Sequence, residues 1–334
     1  MKPHQWQHVL VFAAVVLILG AAGLARAAEP DWKAVEQALG KSGQVQPGDV
    51  FRVGMPRTDL AVTVKGVPVR AGFALGSYAA FKQEGDHAMV MGDLVLLDAE
   101  IPAVMSGLLG NGLEVTAVHN HLNEMSPHVM YMHYEGHGDA VQLAKGLRQA
   151  LSASATPFGS APPAAAAGPT LDSKPIEQAL GRQGRDVGGG VFQITVPRTE
   201  AITAMGQPLL PAMGVVTVMN FQATGDGKAA ITGDFVLIDR EVNAVARALR
   251  QHGIEVTAIH NTWPRGHATT LLHALLGERR PGQAGAGPEG CARSDQQPTL
   301  GLRNQGGVHE MGDSRKGARG SDRVPVAHQP LHRS

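Results

Sequence analysis

Glu114-Val115-Thr116-Ala117-Val118-His119-Asn120 returns as Glu255-Val256-Thr257-Ala258-Ile259-His260-Asn261, at a spacing of 141 residues. Working outward, the same spacing relates Gly92-Asp93-Leu94-Val95-Leu96-Leu97-Asp98 to Gly233-Asp234-Phe235-Val236-Leu237-Ile238-Asp239. It also relates Pro56-Arg57-Thr58 to Pro197-Arg198-Thr199, and Val35-Glu36-Gln37-Ala38-Leu39-Gly40 to Ile176-Glu177-Gln178-Ala179-Leu180-Gly181. A repeat this long is a duplicated domain, since solenoid units recur every ~20–50 residues. The likeness stops after Asn261, inside the stretch that holds most of the chemically active side chains.

Residues 262–334 have no sustained apolar periodicity and are rich in Gly, Arg, Pro and Gln, the composition of a disordered tail. The genetic code offers a sharper reading. With permitted codons, Leu271 to Gly277 read from the second base of each codon gives Tyr-Phe-Met-His-Phe-Trp, beside Met130-Tyr131-Met132-His133-Tyr134 of the first copy. The same frame carried to Ala292 parallels Gly138 to Leu151, and Thr262-Trp263 permit His-Gly. The expectation is therefore a second domain cut short at Asn261 by a one-base insertion or sequencing error, followed by an out-of-frame, disordered tail. Resequencing codons 261–262 tests this; an intact frame with no indel relative to close relatives contradicts it.

Residues 1–27 read as a secretory signal peptide. Lys2 gives the positive start, Val9 to Leu24 the apolar run, and Ala25-Arg26-Ala27 a small-x-small cleavage site. Cleavage there implies a periplasmic or secreted protein with no stable membrane anchor. The sole cysteine, Cys291, rules out an internal disulfide and lies far from the cleavage site, so a lipid has no attachment point. Equal numbers of acidic and basic residues (29 each) and few aromatics give no footing for nucleic acid. Cell-envelope components remain candidate partners.

Each copy opens with a short amphipathic helix, capped by Asp31 or Ser173 and ended by Gly40 or Gly181. β-rich runs follow at 50–53, 61–64, 75–81 and 88–97, punctuated by Gly66, Gly72 and Gly85. Then come a helix over 98–109 capped by Asp98, a strand over 115–122, a strand over 129–134 and a helix over 139–151. The fold class is α+β: two homologous units, each a β-rich part followed by a β-α-β-β-α, ferredoxin-like split β-α-β part. The boundaries are a first domain at 28–151, an Ala/Pro/Ser/Gly linker at 152–170, an incomplete second domain at 171–261 and the tail at 262–334.

His119 and His121 lie two apart on an expected strand and so share a face, with His133 on the next strand. An antiparallel pairing brings three imidazoles together, the donor set of zinc, copper or iron sites. Glu124, Glu135, His137 and Asp139 are the candidate additional ligands or partners to the ligands. His260 is the second copy's remnant of His119, and that copy alone cannot hold an ion. The strings Gly92-Asp93 and Pro56-Arg57-Thr58 read most simply as a bulge or turn and a strand end. Their functional alternatives are a ligand or base at Asp93 and an anion site at Arg57 and Arg198. Met89, Met91, Met130 and Met132 read as core, and the exposed control His87 has no counterpart. Three functions follow: a metal-binding protein, a metal-dependent hydrolase in which Glu124 or Glu135 acts on bound water, or a non-catalytic envelope or peptidoglycan-binding module.

The succession Val-Glu-Gln-Ala-Leu-Gly from Val35, Val-Phe-Arg-Val-Gly-Met-Pro-Arg from Val50, Met-Gly-Asp-Leu-Val-Leu-Leu from Met91 and Val-Thr-Ala-Val-His-Asn-His from Val115 is distinctive. With Met-Tyr-Met-His-Tyr from Met130 and Gly-His-Gly-Asp from Gly136, it resembles the LppY/LpqO family of exported bacterial proteins, which carry a domain of unknown function, DUF1259. The resemblance spans about residues 31–151 and 172–261. It implies an exported or envelope-associated protein with two such domains and no established activity. Some family members look like lipoproteins; this sequence lacks the cysteine they use.

Overall fold

The computed structural model describes residues 30–159, 169–204, 207–261 and 269–279. The expected signal peptide, the centre of the linker and most of the 262–334 segment lie outside those residues.

The first half begins with helix α1 (Trp32–Leu39). The Asp31 side chain accepts from the Ala34 N–H, Gly40 ends the helix at φ 76°, and Val35 and Leu39 point inward. Strands β1 (Gln44–Gln46), β2 (Val50–Pro56), β3 (Val62–Val64) and β4 (Val67–Val69) follow, then a one-turn helix α2 (Ala71–Ala74). The long hairpin β5 (Gly76–Glu84) and β6 (His87–Leu97) leads to α3 (Ile101–Gly110), β7 (Glu114–His119), β8 (Met125–Ser126), β9 (Val129–Gly138) and α4 (Ala140–Leu151). The expected start of α3 at Asp98 moves to Ile101. Glu100 occupies the cap position with Pro102 in the first turn, while Asp98 meets His128 at 2.9 Å on the surface.

The main sheet runs β1-β2-β5-β6-β9-β7, antiparallel at every step. β9 therefore lies between β6 and β7, which α3 connects. Period-2 alternation decides the two faces. Phe51, Val53, Leu94, Leu96, Met132 and Tyr134 point to the side covered by α1, α3 and α4, where Val35, Leu108 and Leu147 meet them. Val50, Met89, Met91, Asp93, Tyr131 and His133 belong to the opposite, helix-free side.

The second half repeats the order with α5 (Lys174–Leu180), β10 (Arg185–Asp186), β11 (Val191–Val196), β12 (Ile202–Ala204), β13 (Gln207–Leu209), β14 (Thr217–Gly225) and β15 (Lys228–Ile238). Helix α6 (Asp239–Gln251), β16 (Glu255–Asn261) and β17 (Thr269–Arg279) complete it. Its sheet order is β10-β11-β14-β15-β17-β16, so β17 occupies the place that β9 holds in the first half. The sequence reading ends the second unit at Asn261 and treats everything beyond as disordered; residues 269–279 differ from that expectation. The physical reason is the gap between β15 and β16, whose backbone groups pair with β17 on both sides.

The helix-free sides of the two sheets pack against each other. One shared cluster mixes Val50, Ala80, Met89 and Met91 with Ile202, Met213, Val215 and Val236; a second joins Val191 and Ala230 to Phe73, Val95 and Tyr131. The four methionines are core or part-buried strand residues, as the alternation implies. Polar contacts stitch the halves as well: Arg52 donates to the Ala212 carbonyl at 2.8 Å, Asn220 to the Phe73 carbonyl at 2.9 Å, and Gln222 to the Pro68 carbonyl at 2.6 Å.

The repeated Pro-Arg-Thr is a structural latch. Arg57 is fully buried and donates to Asp59, to Glu100 and to the Val95 carbonyl. Arg198 repeats this with Glu200, Glu241 and the Val236 carbonyl. Both guanidinium forks are committed to carboxylates of their own half, so neither is available to an incoming anion.

Candidate metal centre

β9 carries Tyr131, His133 and Glu135 on its helix-free side, because residues two apart on a strand share a face. The β7–β9 ladder sets His119 opposite Tyr131 and Ala117 opposite His133, which places His119 beside His133. Their rings stack with centroids 4.9 Å apart. β7 ends at His119, short of the expected Leu122, and His121 reaches the site from the following loop. That loop is held by an Asn120–Asn123 side-chain hydrogen bond at 3.1 Å and by the buried Leu122. From the other half, Thr257 donates to the His121 carbonyl and Glu255 accepts from Asn123 at 3.1 Å. The His121 ring lies on the Tyr131 ring, centroids 3.4 Å apart and planes 12° apart, and the Tyr131 hydroxyl is anchored on the Ala74 carbonyl at 2.6 Å.

His260 arrives from β16 of the other half and stacks on His119 with centroids 3.5 Å apart. One ring nitrogen from each of His119, His121, His133 and His260 lies within 4.8 Å of the other three. For comparison, two nitrogens trans across a bound ion sit about 4.2 Å apart. The Nε2 atoms of His119 and His121 are 2.9 Å apart. His133 is 4% exposed, and both its ring nitrogens are buried without a hydrogen-bond partner. Buried polar atoms are nearly always paired, so this imidazole stands out.

Burial, with the His260 imidazole beside it, pulls His119 down to about 3; burial pulls His260 down to about 4. His133 falls well below the ordinary imidazole range, through burial first and then through His119 and His260. At neutral pH these three rings are neutral and present lone pairs, the form that binds metal.

Asp93 sits mid-strand in β6, where the sequence suggested a bulge or turn. Gly92 needs its missing side chain there, because a Cβ would fall 2.1 Å from the Tyr78 carbonyl oxygen and 2.6 Å from the Tyr134 hydroxyl. Asp93 is opposite His133 in the β6–β9 ladder, 7% exposed, with Oδ2 3.8 Å from His121 Nε2. Burial, then the nearby Asp234, raises its carboxyl well above the usual range, and burial pushes Asp234 up to about 7.

The other candidates lie outside the four-imidazole group. Glu124 is on the surface, 3.6 Å from Lys65. Asp139 caps α4, accepting from the Gln142 N–H at 2.9 Å. His137 is exposed and lines a surface groove with His87, Lys82 and Glu84. Glu135 is buried on the same strand face as His133 but two residues further along β9. His260, read from sequence as a remnant, is instead the fourth imidazole. Its signal was present in the repeat itself: two copies whose helix-free faces meet bring equivalent histidines together.

The description "Domain of Unknown Function (DUF1259)" matches the chain twice, over residues 33–153 and 174–272. The chain belongs to this family, in tandem copies. The second match runs past Asn261 into β17. No curated protein matches. Among solved structures, the chain is similar to a trimeric bacterial microcompartment shell protein, PduB. That match has 14% identity over 76% of this chain and 90% of that one, with a TM-score of 0.19, too low to carry an argument.

Proposed function

We propose that this is an exported metal-binding protein whose ion is held between its two halves by His119, His121, His133 and His260. The observation that carries the reading is His133, an imidazole with both nitrogens buried and unpartnered among three other imidazoles. An isolated buried polar group costs about 1–3 kcal/mol, and an ion bound to one of the two nitrogens removes that nitrogen's share. Four neutral imidazoles suit zinc, copper or iron. Export rests on the first 27 residues; among the described residues no helix is long and apolar enough to cross a membrane. We also read β6-α3-β7-β9-α4 as a split β-α-β unit like half of a ferredoxin-like fold, on the strength of β9 lying between β6 and β7.

The test is metal content by mass spectrometry on the full chain, purified without a His tag. About one transition-metal ion per chain is expected, lost in His119→Ala/His133→Ala and kept in the surface control His87→Ala. Equal metal in all three proteins, or none in the parent, contradicts the reading. N-terminal sequencing of periplasmic material should begin at Ala28; a start at Met1 contradicts export by cleavage.

A further inference from the structure

We infer that Asp93 completes the ligand set, giving four imidazole nitrogens and one carboxylate oxygen, and that the site therefore selects a divalent ion such as zinc, iron(II) or manganese(II) over copper(I). The inference rests on the metal reading above and adds a residue and a selectivity to it.

Position comes first. Asp93 and His133 face each other across the β6–β9 ladder, so both side chains rise from neighbouring points on the same side of the sheet. Gly92 lets the Tyr78 and Tyr134 backbone and hydroxyl groups close in on the strand, which fixes the Asp93 backbone.

Distances come second. His121 Nε2 is 2.9 Å from His119 Nε2 and 3.8 Å from Asp93 Oδ2. With metal–ligand bonds of about 2.1 Å, these separations correspond to angles of about 90° and about 130° at a shared ion. A tetrahedral set spaces every pair by about 3.4 Å. The short spacing is a hydrogen bond between two imidazoles, and the longer one leaves Asp93 within reach of the same ion.

The third observation is an unsatisfied group. Asp93 Oδ1 is buried without a hydrogen-bond partner in a residue 7% exposed. Arg52, which acts on Asp93 through space, commits its guanidinium to the Ala212 carbonyl and to the face of Tyr78, 3.6 Å away. A buried carboxylate needs a cation or a proton, and a divalent ion at the imidazoles supplies the cation. A hard oxygen ligand adds little for copper(I), which prefers soft donors, and much for zinc, iron(II) or manganese(II).

The experiment uses the full chain, stripped of metal and titrated with zinc, and separately with copper(I), against a chromophoric chelator at pH 7. Asp93→Asn keeps the shape and removes the charge; circular dichroism and thermal melting of the metal-free proteins check that both fold alike. Zinc affinity at least tenfold weaker in Asp93→Asn, with copper(I) affinity unchanged, is the expected result. Zinc affinities within twofold of each other overturn the role of Asp93 while leaving the imidazole site intact. Equal losses for both ions overturn the selectivity, and a parent chain that takes up no ion overturns both readings. If Asp93→Asn melts differently, Asp93→Glu decides: partial recovery of zinc over copper(I) supports a ligand, and no recovery counts against it.

Discussion

The two halves share one strand order but differ in what fills it. In the first, β9 and α4 follow β7 in a continuous repeat pattern; in the second, β17 takes the β9 position from a sequence with little resemblance to it. His273 stands opposite Asp234 and Ala258, the register that His133 holds opposite Asp93 and Ala117. Strand pairing satisfies backbone groups whatever the side chains, so a sheet position is easier to keep than a site. The helix-side core shows the cost: α4 contributes Leu143, Leu147 and Leu151 to the first half, and no described residue plays that part in the second. The centre follows the same asymmetry, with three imidazoles from one half and one from the other.

The largest contrast to break is between the two arginine latches. Arg57 and its partner Asp59 are better shielded than Arg198 and Glu200, with side-chain exposures of 0% and 24% against 2% and 43%. Truncating one partner of a buried pair costs about 3–5 kcal/mol. Arg57→Ala should fall at the upper end and Arg198→Ala below it, read by chemical denaturation. Equal losses would mean that the second half is as tightly built as the first.

A second contrast sets His119 of the first half beside His260 of the second. Burial disfavours the imidazolium, so both titrate below an ordinary histidine at about 6.5. Nitrogen-detected NMR of the metal-free chain should place His119 near 3 and His260 near 4. Both rings then stay neutral as the pH falls from 8 to 5, and protonation of these two rings does not oppose metal uptake in that range. Midpoints near 6.5 would place these rings in water rather than between the sheets.

The smallest contrast is at the first helix of each half. Asp31 accepts from a backbone N–H of α1, whereas Ser173 at the start of α5 makes no capping bond. Asp31→Ala should cost about 1 kcal/mol and Ser173→Ala almost nothing by the same denaturation assay. A matching loss at Ser173 would indicate a cap that the present geometry lacks.

Much of this architecture was legible in the residues. The apolar runs at 88–97 and 129–134 read as strands, the repeat announced two like halves, and His119, His121 and His133 stood out by type and spacing. What one copy's pattern cannot encode is how two copies meet. His260 therefore looked like a leftover, and Asp93, preceded by a glycine, looked like a turn. That glycine answers to a tyrosine carbonyl on the neighbouring strand, a contact invisible in linear order. Residues 269–279 were not legible as a strand for another reason: their pairing partners, β15 and β16, lie elsewhere in the sequence.

The most direct test of a site shared between the halves is zinc affinity in the single variant His260→Ala, with His119→Ala beside it. A shared site requires both to bind zinc at least tenfold more weakly than the parent. Undiminished affinity in His260→Ala, with loss in His119→Ala, would confine the ion to the first half and contradict an inter-half centre.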